Sequence, residues 1–396
     1  MTDLGTRAAP PGAPSLRRVA PALLGYAAVR ALGLLALTLW SAARDKSAYT
    51  LLTGRWDSLW YTRVAELGYG YEVRLPNGDV HSNLAFFPLL PWLERLLAAL
   101  TPLSYAGAGF AVALLASLAA AWGIFAVADH LYGPRAGLCT VLLWAVLPVG
   151  IVQSMAYSES LFTALAAWSL YAILTGRWVA AGALASLAGL TRPVGLAVVA
   201  AVWATAIASF VRDRSEAQAS GAHDTPRAPD LGARRVLGMA LSPLGAAAYV
   251  LWVGHRTGKG PLGYLDVQAG WRNGFDGGYA FARFVADKFT SFPSALAGAG
   301  LIVGVGLIVW LYVVCVRQRQ PLPLLVYAGA VTAMALCASS YFGSKPRLLL
   351  PAFPLLLPLA LALARVPTHR SALVIGPVAV ASALYGAFWL NGSGPP

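Results

Sequence analysis

The sequence predicts an all-α polytopic membrane protein, and three observations carry that prediction. Only 11% of its 396 residues are charged and 58% are hydrophobic, with a mean hydropathy of +0.65, whereas a soluble domain carries about a quarter charged residues. Apolar runs of about twenty residues, the length that crosses a bilayer as a helix, recur along the chain. The short alternating segments of a transmembrane β-barrel are not seen.

The net charge of +13 would suggest nucleic acid for a soluble protein. Here the Lys and Arg residues lie between apolar runs, so membrane topology and anionic lipid account for them and no nucleic-acid partner is expected. Cys139, Cys315 and Cys337 sit inside apolar runs without CxxC spacing, which predicts neither a disulfide framework nor a metal site. Residues 1–19 are Pro-, Ala- and Arg-rich and lack a short apolar core followed by a cleavage site. They are read as a disordered cytoplasmic tail, ahead of a single transmembrane domain over 20–390.

The first span covers 20–42. The loop 43–103 then holds two unusual stretches, RWDSLWYTRVAELGY (55–69) and NLAFFPLLPWLERLLAAL (83–100). In the first, Trp56, Leu59, Trp60, Val64 and Leu67 recur at helical spacing, predicting an amphipathic interfacial helix over 56–69 with aromatic anchors. The second is apolar enough to span, but it carries Pro88, Pro91 and a central Glu94–Arg95 pair. A charge at the bilayer centre costs at least about 2.5–3.5 kcal/mol, so a helix along the membrane surface is expected over 83–100.

Spans follow at 104–130, 136–153 and 158–175. The run 178–211 is too long for one span and breaks at Thr191-Arg192-Pro193 into two. Residues 212–235 are polar and predict a flexible loop. Spans at 236–254, 294–316, 322–342, 347–364 and 371–390 bring the total to about eleven. With the N-terminus cytoplasmic and 83–100 on the surface, Arg17–Arg18, Arg135, Arg177, the 212–235 loop, Arg317, Arg319 and Arg365 to Arg370 all fall inside. The loops 43–103 and 255–293 then fall outside, together with Glu159, Arg192, Lys345 and Arg347. No inverted repeat of the transporter kind is evident.

Ionisable groups therefore gather at the outer face. Asp57 lies in the first turn of the expected 56–69 helix, where a capping acid is the structural alternative. Glu159, in AYSESL, opens a span; its alternative is a cap or a local ion pair. Arg192 interrupts LAGLTRPVGL, and intramembrane ionisable residues are functional candidates by default, a structural pair being the alternative. Lys345 and Arg347 stand at the outer start of a span, against the positive-inside bias, which suggests an external phosphate or headgroup anchoring. Trp56, Trp60, Tyr61 and Tyr157 are candidates to stack on sugar faces. Gln268 and Trp271, with Arg272 and Asp276 nearby, and His81 in its own loop are weaker substrate-binding candidates. Carboxylates to take a proton, cations to hold a phosphate and aromatics at an interface suit a reaction on a lipid-linked phosphate. No phosphate loop, Ser-His-Asp signature or zinc spacing competes with this reading.

The ordered set RWDSLWYTRVAELGY, AFFPLLPWLERL, AYSESLF, LTRPVGL and KPRLLLPAFPLL resembles the PIG-V-type mannosyltransferases and their bacterial relatives, in the GT-C superfamily of polytopic glycosyltransferases. The resemblance runs from about residue 20 to 365 and implies a GT-C-type fold with two membrane-surface helices in the first outer loop, as the residues independently suggest. It implies transfer of a sugar, typically mannose, from a polyprenyl-phosphate donor to a hydroxyl outside the membrane, with inversion. Asp57 would be the general base. Glu159 matches the family's second acid and would position the acceptor or support Asp57; Arg192 and Arg347 match its basic residues and, with Lys345, would bind the lipid phosphate. Ser58 departs from the Gly often found after the acid, and Val194 departs from the Asn usual in eukaryotic members. The Ala-, Gly-, Arg- and Pro-heavy composition fits a high-GC bacterium, so the expected acceptor is a cell-envelope glycolipid, polysaccharide or protein at the plasma membrane. No cofactor is expected: two acids leave room for a divalent ion, but a phosphate held by Arg and Lys does not require one. A flippase for a lipid-linked sugar and a non-catalytic membrane scaffold are the alternatives.

Overall fold

The structure is a computed structural model that describes residues 14–219 and 229–394. It is a bundle of helices with two minimal β-pairs. The chain opens with α1 (Leu16–Ala42), α2 (Ala48–Thr53), α3 (Asp57–Leu67) and α4 (Leu89–Leu100). Then come α5 (Tyr105–Tyr132), α6 (Pro134–Ala145), α7 (Glu159–Leu174), α8 (Trp178–Gly189), α9 (Leu196–Ala219), α10 (Pro229–Leu241) and α11 (Leu244–Thr257). Two short helices, α12 (Gly263–Gly270) and α13 (Tyr279–Asp287), precede α14 (Ser294–Arg317), α15 (Leu322–Cys337), α16 (Lys345–Leu348), α17 (Leu357–Arg365) and α18 (Thr368–Leu390).

Among the described residues, six helical stretches are long and apolar enough to cross a membrane: Leu16–Ala42, Tyr105–Tyr132, Pro193–Ala219, Leu231–Thr257, Ser294–Arg317 and Thr368–Leu390. A pair bent by 74°, Phe342–Leu348 and Phe353–Arg365, makes a seventh if taken as one span, and α7, α8 and α15 are shorter apolar helices. The chain is a multi-pass membrane protein. Its core lies between α1, α5, α6, α7, α8, α9 and α15. Small residues let the helices approach closely: a Cβ added to Gly189 of α8 would lie 2.8 Å from the backbone nitrogen of Ala246 in α11.

Several elements differ from expectation. The span expected at 136–153 is α6, which stops at Ala145, followed by a 3-10 turn at Gly150–Ser154; Pro148 cannot continue the helix. The loop expected at 212–235 is helical at both ends, and Arg235 pairs with Asp213 at 2.5 Å to hold α10 beside α9; residues 220–228 lie outside the described residues. Residues 1–13 of the expected tail do so too, and α1 begins at Leu16, with Arg18 on Asp129 at 2.7 Å.

The two stretches of the 43–103 loop form α3 and α4, each shorter than expected. Trp56 precedes α3, residues 83–85 form a 3-10 turn, and α4 starts after Pro88. The face of α3 that packs inward is Ser58, Tyr61, Val64 and Ala65, while Leu59 and Leu67 point away from the bundle. Glu94 turns inward and is fully buried, against Gly109 of α5. Its carboxyl has no hydrogen-bond partner, and burial pushes its pKa well above the ordinary carboxylate value, which favours the neutral form. The pair β1 (Glu72–Arg74) and β2 (Val80–Ser82) is antiparallel and closes the loop between α3 and α4.

Lys46 donates to the Asn391 carbonyl at 2.8 Å and Arg55 to that of Leu390 at 3.1 Å. The end of α1, the 43–103 loop and the end of α18 therefore share one end of the bundle.

Candidate active site

Asp57 is the first residue of α3. Trp56 before it has φ 52° and ψ −125°, and its side chain makes no capping hydrogen bond. A non-glycine residue in that region stores strain of about 1–3 kcal/mol and persists only where its surroundings enforce it. Here Arg55 lies 4.0 Å over the Trp56 ring, and Ser58 donates back to the Arg55 carbonyl at 2.6 Å. The sharp entry places the Asp57 carboxylate on a partner distant in sequence: Nη2 of Arg347 is 2.7 Å from its Oδ2. Asp57 thus meets a guanidinium from the other end of the chain.

Arg347 also directs Nε toward Glu159 Oε1, at 3.6 Å, and Glu159 pairs closely with Nη1 of Arg192. Acid and base alternate in one row: Asp57, Arg347, Glu159, Arg192. Two carboxylates and two guanidiniums make the row neutral. Glu159 and Arg347 are buried, whereas the Asp57 side chain keeps 24% exposure, so the row opens at Asp57. The Nε and Nη1 groups of Arg347 have no hydrogen-bond partner. Both are buried, and Nε already faces Glu159, which leaves Nη1 as the guanidinium donor without a partner.

Three unwound segments supply this row. Glu159 starts α7 after the 3-10 turn at Gly150–Ser154, Arg192 follows the end of α8 before Pro193, and Arg347 lies in the four-residue α16. Irregular backbone at membrane depth is tolerated where it is buried in protein or lines a cavity. Ser158 links the row to α3: Tyr61 Oη lies 2.7 Å from its Oγ, and Arg192 Nη1 approaches the same oxygen at 3.4 Å. The Arg347 guanidinium stands 5.0 Å from the Tyr157 ring. Burial pushes the phenols of Tyr61 and Tyr157 up, so both stay protonated.

The other expected residues lie elsewhere. Trp60, one turn beyond Asp57, packs at 4.8 Å centroid separation on Trp271, which stacks on His81 at 4.0 Å. Trp271 Nε1 donates to the Ser82 carbonyl at 3.0 Å, and Gln268 bonds Tyr264 and Asn273. His81, Gln268 and Trp271 therefore pack together beside α3, with the polar atoms of Gln268 and Trp271 occupied. Burial lowers the His81 pKa, so it is neutral near pH 7.

Lys345 does not join the row expected to hold a phosphate. Its ammonium donates to the carbonyls of Ala335 and Ala338, each at 2.8 Å, and reaches Leu336 at 3.4 Å, with the rings of Phe281 and Phe342 at 4.9 and 5.4 Å. It closes the C-terminus of α15, where a cation complements the helix dipole and the orphan carbonyls. Lys345→Met is expected to lower the melting midpoint, since hydrogen bonds to a charged group contribute about 1.5–3 kcal/mol each, while any substrate KM stays within about twofold. Thermal melting beside initial rates checks this. Sequence reading missed Ser158; the one available signal is its place between Tyr157 and Glu159. Among the described residues, no group of three His, Cys, Asp or Glu side chains comes together.

Residues 83–221 match the family described as dolichyl-phosphate-mannose-protein mannosyltransferase. The chain is 32% identical over 173 residues to GPI alpha-1,6-mannosyltransferase 2 of Mus musculus, a match covering 39% of this chain and 32% of the mouse protein. It thus spans about a third of that relative's length. Among solved structures, ArnT from Cupriavidus metallidurans bound to undecaprenyl phosphate superposes with a TM-score of 0.52 at 15% identity, over 91% of this chain and 63% of ArnT. Likeness at that identity speaks for the fold alone, whereas the sequence match speaks for relationship in the segment from α4 to α9. Over residues 83–221 the chain is therefore similar to that mannosyltransferase family, and its fold is similar to that of ArnT.

Proposed function

We propose that this protein is an inverting glycosyltransferase of the plasma membrane. It moves a sugar, mannose in this reading, from a polyprenyl-phosphate donor to a hydroxyl of a cell-envelope acceptor at the extracytoplasmic face. The observation that carries the reading is the row Asp57–Arg347–Glu159–Arg192, neutral in sum and open at Asp57. The mouse relative's name supports mannose, and the lipid bound to ArnT supports a polyprenyl phosphate. Orientation rests on the positive-inside rule, with Arg18 and Arg135 at the cytoplasmic end.

In this mechanism the acceptor hydroxyl approaches Asp57, the exposed end of the row. Asp57 takes its proton as the oxygen attacks the anomeric carbon from the side opposite the phosphate. The bond between that carbon and the phosphate oxygen breaks, and the phosphate leaves with the electron pair. Proton transfer cancels the charge on Asp57 as the leaving phosphate gains one, so the Arg347 guanidinium shifts its pairing from that carboxylate to the phosphate, with Nη1 as its unpartnered donor. Glu159 holds Arg192 and Arg347 in register, and Arg192 is the second cation for the phosphate.

The test incubates membranes containing the protein with radiolabelled polyprenyl-phosphate mannose and envelope lipids. The expected product carries label in a linkage of anomeric configuration opposite to the donor's, with one polyprenyl phosphate released per transfer. Label that crosses the membrane still attached to the polyprenyl lipid would overturn the proposal in favour of a flippase. Arg347→Lys keeps the charge but loses the planar fork. Losing one charge-assisted hydrogen bond, about 1.5–3 kcal/mol, is expected to raise the donor KM about tenfold or more in initial-rate measurements.

A further inference from the structure

We propose that Arg30, in the middle of α1, is a positioning residue for this site. It holds the unwound segment between α6 and α7 that delivers Tyr157 and Glu159. The kinetic part of its test rests on the proposed transfer reaction; the structural part does not.

Arg30 is 7% exposed within an otherwise apolar stretch, GYAAVRALGLL. A charge so placed is expensive and ordinarily finds an acid, yet among the described residues no ion pair includes Arg30. Its fork grips backbone instead: Nη1 donates to the Gly150 carbonyl and Nη2 to that of Ala145.

Those two carbonyls frame a problem the fold has to solve. α6 ends at Ala145 among buried side chains, where its last carbonyls lack intrahelical partners and water is scarce. Several of these carbonyls find partners in the fold. Leu142 accepts from the Val146 nitrogen at 3.0 Å, Trp144 from Gln153 Nε2 at 2.8 Å, and Leu147 from Ser382 Oγ of α18 at 2.7 Å. Ala145 and Gly150 are left to Arg30. One guanidinium therefore ties the end of α6 to the start of the 3-10 turn and sets the path of the chain between them. Gly150 fits this grip: a Cβ there would lie 2.8 Å from both Arg30 Nη2 and the Ala145 carbonyl oxygen.

The same face of α1 reaches the site by a second route. Tyr26 stacks on Trp144 with centroids 5.4 Å apart and donates to Gln153 Oε1 at 3.0 Å. The Gln153 carbonyl accepts from Ser160, the neighbour of Glu159, at 3.0 Å, and Trp144 Nε1 donates at 3.0 Å to the carbonyl of Leu350, three residues beyond Arg347. α1 thus braces both segments whose side chains meet in the ionic row. Arg30 itself touches no member of that row. Its effect on the reaction runs through the backbone that carries Glu159.

The test compares wild type with Arg30→Met, Arg30→Lys and Gly150→Ala, each checked for melting midpoint. A misplacement of about 1 Å at a reacting centre costs about 100-fold, so Arg30→Met is expected to lower kcat by about that factor with donor KM within threefold. Arg30→Lys, which can satisfy one carbonyl, should recover about tenfold of the loss. Gly150→Ala leaves the charge in place but displaces the segment, so it should reproduce the kcat loss even if Arg30→Met does not fold. In parallel, amide hydrogen exchange should quicken over residues 146–158 in each folded variant and stay unchanged over α14. A kcat within threefold of wild type in all folded variants, or exchange that quickens equally over the whole chain, would overturn the positioning role. If wild type transfers no sugar, the proposed function fails while the exchange pattern still decides the role of Arg30.

Discussion

Asp57→Asn is expected to lower kcat for sugar transfer by about 10²–10⁴-fold, the range that a general base contributes, without raising the donor KM. Asn keeps the size of the side chain, and its amide oxygen can still accept from Nη2 of Arg347, which sits 2.7 Å from Asp57 Oδ2. What is lost is the ability to hold a proton. The row then carries two guanidiniums against one carboxylate, and the added positive charge favours an anionic donor. Binding is therefore expected to hold or tighten while turnover collapses, a pattern that distinguishes loss of a transition-state function from general damage. Initial rates at saturating donor, normalised to folded protein, measure it. A loss smaller than tenfold would remove Asp57 as the base, and a scaffold would not register the change.

Glu159→Gln is expected to be the most destabilising single change in the site, by about 3–5 kcal/mol, because it leaves buried charges unpaired. Glu159 is 2% exposed and is the one carboxylate shared by Arg192 and Arg347. Without its charge, two guanidiniums face each other with Asp57 alone to balance them. The melting midpoint and the yield of folded protein should both fall. Removing Arg192 as well, in Glu159→Gln/Arg192→Met, restores neutrality as an Asp57–Arg347 pair and should recover part of the lost stability. Transfer activity should not return with it, since Arg192 is lost as a cation for the phosphate. A single variant that melts with wild type would mean that Glu159 is not what holds the two cations together.

The members of the row were each legible in the sequence for the same reason. Asp57, Glu159, Arg192 and Arg347 are ionisable groups set at or within apolar runs, where a charge needs a purpose or a partner. Arg30 satisfied the same criterion, as a lone cation near the middle of an apolar helix, but lay far from any motif. Lys345 looked equivalent to Arg347 two residues away. The direction of a side chain in a one-turn helix is not readable from spacing, and Lys345 points back to the carbonyls closing α15. Helical spacing grouped Leu59 and Leu67 with Trp56, Trp60 and Val64 on one interfacial face of α3, whereas the structure buries Val64 and leaves both leucines exposed. In a membrane protein, apolar residues serve the outward surface as well, and both point there.

By itself, then, the sequence determined a polytopic helical membrane protein and the ionisable residues its chemistry has to draw on, since apolar length and stray charge are local properties. Only the tertiary structure decided which of those charges meet. Asp57 and Arg347 pair although they lie 290 positions apart in the numbering, and α6 stops short at a turn whose carbonyls are met by α1 and α18. Partner choice in a low-dielectric interior depends on the whole set of groups that pack together, and no window of sequence contains that set.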